Sequence, residues 1–226
     1  MTFVDLTHPV ESGMPVYPGD PEVLAEAALT VPADGANVAR LHLGSQSGTH
    51  VDAPFHIDDA LPRMAELPLE RFAGPVVVMD ATGVPGRAIG PDALPDGLAP
   101  GVVLLVRTGW SERWGSEEYW TSAPYLAPET AAAVIAAGVR TVGVDTPSVD
   151  PSDSLDAHRV LLGASAVVCE NLTGLEAITG PAEVTLFPLR LEGAGTGDGG
   201  AGGGGAPRGA PPPPRAGEGT AAKQAQ

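Results

Sequence analysis

Two histidines and an aspartate lie within seven residues of one another, at His50, Asp52 and His56. They belong to residues 46–56, which read Gln-Ser-Gly-Thr-His-Val-Asp-Ala-Pro-Phe-His. Imidazole nitrogens and carboxylate oxygens are ligands that divalent transition metals prefer in proteins. Chance clustering is the weaker explanation, because the whole chain has only five histidines. The spacing therefore predicts a metal site.

The geometry of a strand suggests how this segment would be used. Because side chains alternate along a strand, an extended run from Gln46 to Asp52 would place both residues and His50 on one face. Gly48 would leave a gap on that face for an ion or a substrate. The proline that follows Asp52 is expected to turn the chain, so that His56 faces the same cavity from the other side.

The elements around this segment indicate a mixed α/β protein. Four short runs rich in β-branched residues predict strands at 75–79, 102–106, 139–144 and 166–169. Their continuous apolarity is typical of strands covered on both faces. Pro128 and Gly138 mark the start and the end of a helix, and a second helix is predicted after Asp156, with His158 on it. We therefore expect a single α/β domain with a mixed sheet.

The C-terminal segment differs in composition from the rest of the chain. Residues 193–226 hold 12 of the 30 glycines and no apolar side chain larger than alanine. Such a segment cannot bury enough surface to offset the entropy lost on ordering. We therefore expect a folded domain over residues 1–192 and a low-complexity, disordered tail over residues 193–226.

Charge and hydropathy exclude several classes of partner. The formal net charge of −16 argues against nucleic-acid binding, because an acidic surface repels phosphates. The longest apolar runs, residues 102–106 and 131–138, are far shorter than the roughly 20 residues of a membrane span. The N-terminus lacks the basic and apolar regions of a signal peptide. We expect a soluble, cytoplasmic protein with no membrane or nucleic-acid partner.

With the segment 46–56, the sequence resembles the metal-dependent cyclase or hydrolase family whose members include bacterial kynurenine formamidases. The family signature is His-x-Gly-Thr-His-x-Asp-x-Pro-x-His. The resemblance runs from residue 3 to about residue 192 and includes residues 5–9, 16–20, 107–110, 143–150, 170–172 and 187–190. It implies the swivelling β/β/α fold of that family.

The resemblance also implies a ligand set and a catalytic residue. The family holds two metal ions, zinc or manganese being the expected ones, with a shared water between them. His50, Asp52 and Glu170 would bind the first ion, and Asp52, His158 and Glu170 the second. Such a site lowers the pKa of a bound water towards roughly 7. His56 matches the acid/base residue that delivers a proton to the leaving amine.

Two positions depart from the family pattern. Gln46 replaces the first histidine of the signature, and its neutral carbonyl is a harder and weaker ligand than imidazole. It should favour manganese or magnesium over zinc, or leave the first metal site partly empty. Tyr17 stands where formamidases present a tryptophan to the substrate, so it either binds substrate or packs in a loop. Trp110, Trp114 and Trp120 follow on a loop-like stretch, where packing is expected of at least two.

Five other residues receive mainly structural predictions. Cys169 is expected to be a buried small hydrophobe rather than a nucleophile. His8 and His42 are isolated in the sequence, so a structural role is predicted for both. Asp145 and Asp150 follow a strand, where they are candidates to orient the ligand histidines.

The family's last strand is a further departure. It follows soon after the segment that corresponds to residues 189–193, whereas glycine and proline follow here. Only residues 214–216 are similar to that strand. We therefore expect the strand to be lost or to be displaced beyond an inserted linker.

The resemblance implies an arylformamidase that acts on a small aromatic amide. The simplest substrate is N-formyl-L-kynurenine, hydrolysed to L-kynurenine and formate in the kynurenine pathway of tryptophan catabolism. Two alternatives stay open. The same site could serve a polyketide-type cyclase or an isatin-like lactam hydrolase, or the chain could be a non-catalytic binding protein with a degenerate metal site. Family members pair into dimers or larger assemblies, so a homodimer or higher homo-oligomer is implied.

Overall fold

The computed structural model describes residues 3–192 and the backbone of residues 196–198. The strands in this part of the chain are β1 (Leu24–Leu29), β2 (Val38–His42), β3 (His50–Asp52), β4 (Ala73–Asp80), β5 (Ala88–Ile89), β6 (Val103–Arg107), β7 (Tyr125–Leu126), β8 (Thr141–Val144), β9 (Val167–Glu170), β10 (Glu183–Thr185) and β11 (Thr196–Asp198). The helices are α1 (Val31–Asp34), α2 (Glu117–Thr121), α3 (Pro128–Ala136) and α4 (Asp156–Gly163).

Seven strands form one mixed sheet in the order β10-β4-β6-β8-β9-β3-β11. The central strands β4, β6, β8 and β9 run parallel to one another, and the outer strands pair antiparallel. The four predicted strands are confirmed as β4, β6, β8 and β9, with ends that agree within two residues. The single mixed α/β domain is thereby confirmed.

The sheet is covered on both faces, as its apolar runs predict. One core joins alternate residues of the central strands to α3 and α4; its members include Leu104, Val142, Val168, Val134 and Leu161. The other core lies on the opposite face beneath the loops around residues 64–72 and 172–187; its members include Leu105, Val167, Cys169, Phe72 and Leu172. The sheet is therefore a rigid frame whose strand ends have fixed positions.

Both predicted helices are present where the sequence placed them. Helix α3 begins at Pro128 and is followed by Gly138, whose φ of +88° ends the helical segment. Helix α4 begins at Asp156 and turns His158 and its apolar residues towards the sheet. The longest described helix has nine residues, and none of those described has the length and apolarity of a bilayer span.

The segment that precedes β3 is not extended, contrary to the prediction for residues 46–52. Only residues 50–52 form a strand, whereas residues 45–49 form a turn and a bend. Gly48 adopts a φ of +64°, and a Cβ there would lie 2.9 Å from Met14 Cε. Gly48 lines the cavity, and a side chain there would meet the end of Met14. Glycine is also required for the positive φ.

A short strand follows the segment 189–193 directly. β11 pairs antiparallel with β3, with Asp198 opposite His50. A strand is therefore present at the edge of the sheet at residues 196–198, whereas the sequence led us to expect that it was lost or displaced beyond an inserted linker. Apart from these three residues, the predicted tail at 193–226 lies outside the residues that the structure describes.

Strands β1 and β2 form a separate two-stranded hairpin at the surface. They pair antiparallel and share no sheet with the seven-stranded one. No residue of either strand is buried. Leu24 and Leu41 are 45% and 55% exposed, so the hairpin presents apolar side chains to solvent.

Candidate metal centre and its cavity

Two antiparallel strands bring three of the candidate ligands together. β3 pairs with β9 so that His50 lies opposite Glu170 and Asp52 lies opposite Val168. Side chains that are directly opposite in a pair, and alternate residues along a strand, point to the same face of a sheet. His50, Asp52 and Glu170 therefore point to the face that α4 covers, while Cys169 points into the opposite core.

Helix α4 adds the fourth candidate ligand. His158 Nε2 lies 3.3 Å from Glu170 Oε1 and 3.5 Å from Asp52 Oδ2. His50 Nε2 lies 3.6 Å from Asp52 Oδ1 and 3.6 Å from Glu170 Oε2. All four side chains are buried. The structure thus brings together four residues that are up to 120 positions apart in the chain.

The ligand atoms of this cluster converge without satisfying one another. His50 Nε2, Asp52 Oδ2 and His158 Nε2 are buried, and each lacks a hydrogen bond to any residue that the structure describes. Such unsatisfied groups are costly and need an explanation. Ligand atoms of His50, Asp52 and Glu170 all lie within 4.8 Å of one another, as do those of Asp52, His56 and His158. This set of donors fits a divalent transition metal.

Asp150 fixes the orientation of His158. Its carboxylate accepts hydrogen bonds from the N–H groups of Ala157 and His158 at 2.8 and 2.9 Å. The imidazole Nδ1 lies 2.7 Å from the same carboxylate. Although burial opposes ionisation, the hydrogen bonds from His158 and Ala157 hold the pKa of Asp150 below its usual value. An ionised Asp150 accepts a hydrogen bond from Nδ1–H, which directs the other ring nitrogen, Nε2, towards the cluster.

Opposite charges in the cluster shift the pKa values of His158 and Asp52 so that each favours its charged form. Burial alone would lower the pKa of His158, but its contacts with Asp150, Asp52 and Glu170 raise it well above the usual value. Burial alone would raise the pKa of Asp52, but the charge of His50 and the contact with His158 lower it. Asp52 is therefore an anion in the centre of the cluster, which is the form that binds a cation.

Asn171 and Tyr119 hold the loop before β3, a role that the sequence did not predict for either residue. Asn171 has a φ of +57° and is buried. Its Nδ2 donates to Gly48 O at 2.9 Å, and Tyr119 Oη donates to its Oδ1 at 2.8 Å. His50 Nδ1 lies 3.0 Å from Gly48 O. Because a carbonyl only accepts, His50 donates there through Nδ1, and its other ring nitrogen, Nε2, faces the cluster.

Asp145 does not orient a ligand histidine, contrary to the prediction. Its carboxylate accepts hydrogen bonds from the backbone N–H and hydroxyl of Thr108 and from the N–H of Gly109. Burial raises its pKa, although these hydrogen bonds oppose the shift. Asp145 therefore fixes the loop after β6, and only Asp150 of the two aspartates contacts a histidine of the cluster.

His56 and Gln46 lie at the open side of the cluster. His56 ends a short 3-10 turn that begins at Pro54, and its ring centroid lies 5.7 Å from that of His158. Gln46 Nε2 lies 3.0 Å from each ring nitrogen of His56 and 3.4 Å from Asp52 Oδ1. The amide nitrogen of Gln46 thus faces the cluster, so ligation would need a rotation that exchanges it with the carbonyl oxygen.

Three residues of the cluster, His50, His158 and Glu170, line a cavity of about 740 Å³, a volume within the usual range of small-molecule sites. Its wall includes Gln46, His56, Tyr17, Trp120 and Arg87. Tyr17 lies edge-on to Trp120, with ring centroids 5.9 Å apart. Tyr17 is therefore an aromatic wall residue of the cavity, and of the three tryptophans only Trp120 lines it.

Three further residues lie outside the cluster, as the sequence predicts. His8 stacks on Trp114 with ring centroids 4.0 Å apart, and burial lowers its pKa. His42 ends β2 on the exposed hairpin. Cys169 is buried in the core on the opposite face of the sheet, and burial raises the pKa of its thiol far above the usual value. A thiol in that state is a poor nucleophile.

Known proteins are similar to this chain in sequence and in fold. Residues 4–151 match the model of the Cyclase family, described as "Putative cyclase". A kynurenine formamidase of Paracidovorax citrulli is 35% identical over 200 residues, which cover 83% of this chain and 89% of that protein. A kynurenine formamidase of Bordetella petrii is 36% identical over 193 residues, which cover 83% of this chain and 90% of that protein.

Solved structures show the same architecture at lower sequence identity. An isatin hydrolase bound to the product analogue thioisatinate superposes with a TM-score of 0.77 at 19% identity, over 86% of this chain and 88% of that one. Isatin hydrolase A from Ralstonia solanacearum gives a TM-score of 0.76 at 23% identity, over 86% and 88% of the two chains. These similarities concern the fold.

Proposed function

We propose that this chain, which belongs to the Cyclase family, is a metal-dependent amidohydrolase that cleaves the formyl group from N-formyl-L-kynurenine. The observation that supports it most strongly is the convergence of buried His50, Asp52, His158 and Glu170 with three unsatisfied ligand atoms. The curated relatives of 31–36% identity are kynurenine formamidases. The reaction yields L-kynurenine and formate, a step of tryptophan catabolism.

The residues of the cluster divide into two ligand sets in this proposal. His50, Asp52 and Glu170 would hold one ion, and His158 would hold a second together with the same two carboxylates. Zinc or manganese fits these donors. When bound, such ions lower the pKa of a water and polarise a carbonyl oxygen. The chain's own contribution is to hold both imidazoles with their Nε2 lone pairs towards the cluster.

His56 has the second chemical task. Hydrolysis adds an oxygen to the formyl carbon, breaks the carbon–nitrogen bond and leaves the aryl nitrogen in need of a proton. His56 is half-buried on the wall of the cavity beside the cluster, and the ordinary pKa of histidine suits proton transfer near neutral pH. His56 delivers that proton to the departing amine. Tyr17 and Trp120 contact the aromatic ring of the substrate.

A metal-dependent activity assay tests the proposal. The purified protein is assayed with N-formyl-L-kynurenine before chelation, after chelation, and after zinc or manganese is added back. We expect hydrolysis that chelation removes and one of the metals restores. Turnover that survives complete removal of metal contradicts the mechanism. Hydrolysis of isatin instead of the formamide would assign the lactam-opening alternative, and bound ligand without turnover of either would assign the binding-protein alternative.

We also propose that the chain forms a homodimer through the β1–β2 hairpin and acts in the cytoplasm. An isolated two-stranded hairpin is marginally stable in water, yet this one exposes Leu24, Leu29, Val38 and Leu41 by 41–55%. A second copy that covers these side chains would stabilise the hairpin. Light scattering after size-exclusion chromatography should give a dimer for the native chain and a monomer for Leu41→Lys. A native monomer contradicts the proposal.

A further inference from the structure

Arg87 is an exposed residue that lines the cavity, and the base of its side chain is fixed. Its Nε–H donates to Ala123 O at 3.0 Å, and its guanidinium carbon lies 5.7 Å from the ring centroid of Tyr125. Tyr125 N–H donates to Arg87 O at 2.9 Å, which ties the two backbones together. The bond at Nε leaves both terminal nitrogens of Arg87 free to bind a ligand.

The charge of Arg87 is not neutralised by a neighbour. Two arginines line the cavity, and the second, Arg159, forms an ion pair with Asp156 at 3.1 Å. Arg87 has no carboxylate partner among residues 3–192. A fixed, unpaired guanidinium in a cavity matches an anion, and its planar fork matches a carboxylate best because two parallel hydrogen bonds form.

We infer that Arg87 binds the carboxylate of an α-amino-acid head group on the substrate, an inference that rests on the proposed formamidase function. N-formyl-L-kynurenine has its formamide on the aromatic ring and an amino-acid head group at the far end of its side chain. A substrate that places the formamide at the cluster must therefore hold its head group elsewhere in the same cavity. Arg87 is the cation available there.

The other charges of the cavity favour a zwitterion over a simple acid. Asp20 and Asp153 line the same cavity, and neither has a cationic partner in the part of the chain that the structure describes. Their negative field opposes an isolated carboxylate and attracts an ammonium group. The α-ammonium of an amino acid compensates that field, whereas a plain aryl-propanoate cannot. Arg87 thus selects amino-acid formamides over simpler aryl formamides.

The test compares a substrate that has the head group with one that lacks it. Native enzyme and variants are assayed with N-formyl-L-kynurenine and with 2′-formamidoacetophenone, which keeps the ring, ketone and formamide. Because a hydrogen-bonded ion pair is lost, Arg87→Gln should lower kcat/KM for the amino-acid substrate by roughly tenfold to a hundredfold, mainly through KM. For the substrate that lacks the head group, kcat/KM should change by less than about threefold.

Two variants control for charge and for folding. Arg87→Lys keeps the charge but loses the fork, so its loss should be intermediate. Arg159→Gln removes the same charge from the same cavity, but at an arginine that is already paired. It should therefore change the ratio of kcat/KM for the two substrates less than Arg87→Gln does. The assignment of Arg87 is overturned if the two arginine variants change the substrate ratio equally, or if Arg87→Gln lowers kcat/KM equally for both substrates.

Binding of L-kynurenine provides a measurement that needs no turnover. Titration calorimetry should show binding to the native protein that weakens roughly tenfold or more in Arg87→Gln, while 2′-aminoacetophenone binds both proteins alike. Native protein that hydrolyses neither formamide contradicts the proposed function. Equal affinity of the native and Arg87→Gln proteins for L-kynurenine, or no binding to either, overturns the inference about Arg87.

Discussion

The floor and the wall of the cavity are built differently. The floor consists of His50, Asp52, His158 and Glu170, which are at most 5% exposed and lie on strands or on α4. The wall consists mostly of residues outside the strands and long helices, with Trp120 on the short helix α2, and Tyr17 there is 39% exposed. Regular elements fix side chains more closely than loops do, and loops tolerate substitution more readily. The floor therefore sets the chemistry, and the wall sets which molecule reaches it.

Hydrogen bonding follows the same division. Each floor imidazole has its Nδ1 held by a neighbour, Asp150 in one case and the Gly48 carbonyl in the other. The hydroxyl of the wall residue Tyr17 makes one long hydrogen bond, 3.5 Å to Ser152 O, among the described residues. Substitutions in the floor should therefore affect metal binding and rate together, and substitutions in the wall should affect one substrate more than another.

The largest effect is expected in the floor at Glu170. Glu170→Gln removes a charge that both ligand sets share, so we expect loss of bound metal and a fall in kcat/KM of about a thousandfold or more. Metal analysis measures the bound metal, and the formamidase assay measures kcat/KM. Glu183→Gln, at an exposed position of β10, is the matched control and should change neither. A metal-loaded, active Glu170→Gln would show that the floor is not the ligand set.

His56 lies where the floor meets the wall, and its effect should be on rate alone. His56→Gln should lower kcat by about a hundredfold to ten-thousandfold, because proton delivery to the leaving amine is lost. Its metal content should equal that of the native protein. His42→Gln, on the exposed hairpin, serves as the control. If His56→Gln has the same kcat as the native protein, His56 is not the acid/base residue.

Asp150 supports the floor without being a ligand. Asp150→Asn replaces the anion that holds the Nδ1 proton of His158, so we expect metal affinity to fall by about tenfold to a hundredfold. Metal titration of the stripped protein measures this, and circular dichroism checks that α4 is intact. Asp156→Asn, at the exposed start of the same helix, should leave affinity within about twofold. Equal affinities for Asp150→Asn and the native protein would contradict the role of Asp150.

Gln46 should give a smaller effect, on metal preference. Gln46→His restores an imidazole at the open side of the cluster, so zinc affinity should rise by about tenfold relative to manganese. Competition titrations with the two ions measure the ratio. An unchanged ratio would mean that position 46 contacts His56 and Asp52 without influencing the metal.

The smallest effect is expected in the wall at Tyr17. Tyr17→Ala should raise KM for N-formyl-L-kynurenine a few-fold with little change in kcat, because an aromatic contact with the substrate ring is lost. Tyr17→Phe should behave as the native protein does. A Tyr17→Ala variant with unchanged KM and reduced thermal stability would assign the residue to packing against Trp120 instead.

The sequence predicted the floor better than the wall. His50, Asp52 and His56 stand in one short window, and His158 and Glu170 were placed by a resemblance that spans the domain. The conformation of residues 46–49 was missed because tertiary hydrogen bonds to Asn171 impose a bend there. Asn171 itself left one signal, since asparagine tolerates positive φ better than most residues. Arg87 left none, because its role depends on which loops meet around the cavity.

Anomalous diffraction from crystals grown with zinc or manganese tests the central claim most directly. We predict metal density within about 2.0–2.3 Å of ligand atoms from His50, Asp52, His158 and Glu170, in crystals whose dissolved protein hydrolyses N-formyl-L-kynurenine. Active crystals with the metal bound elsewhere, or with His158 turned away from the ion, would contradict it.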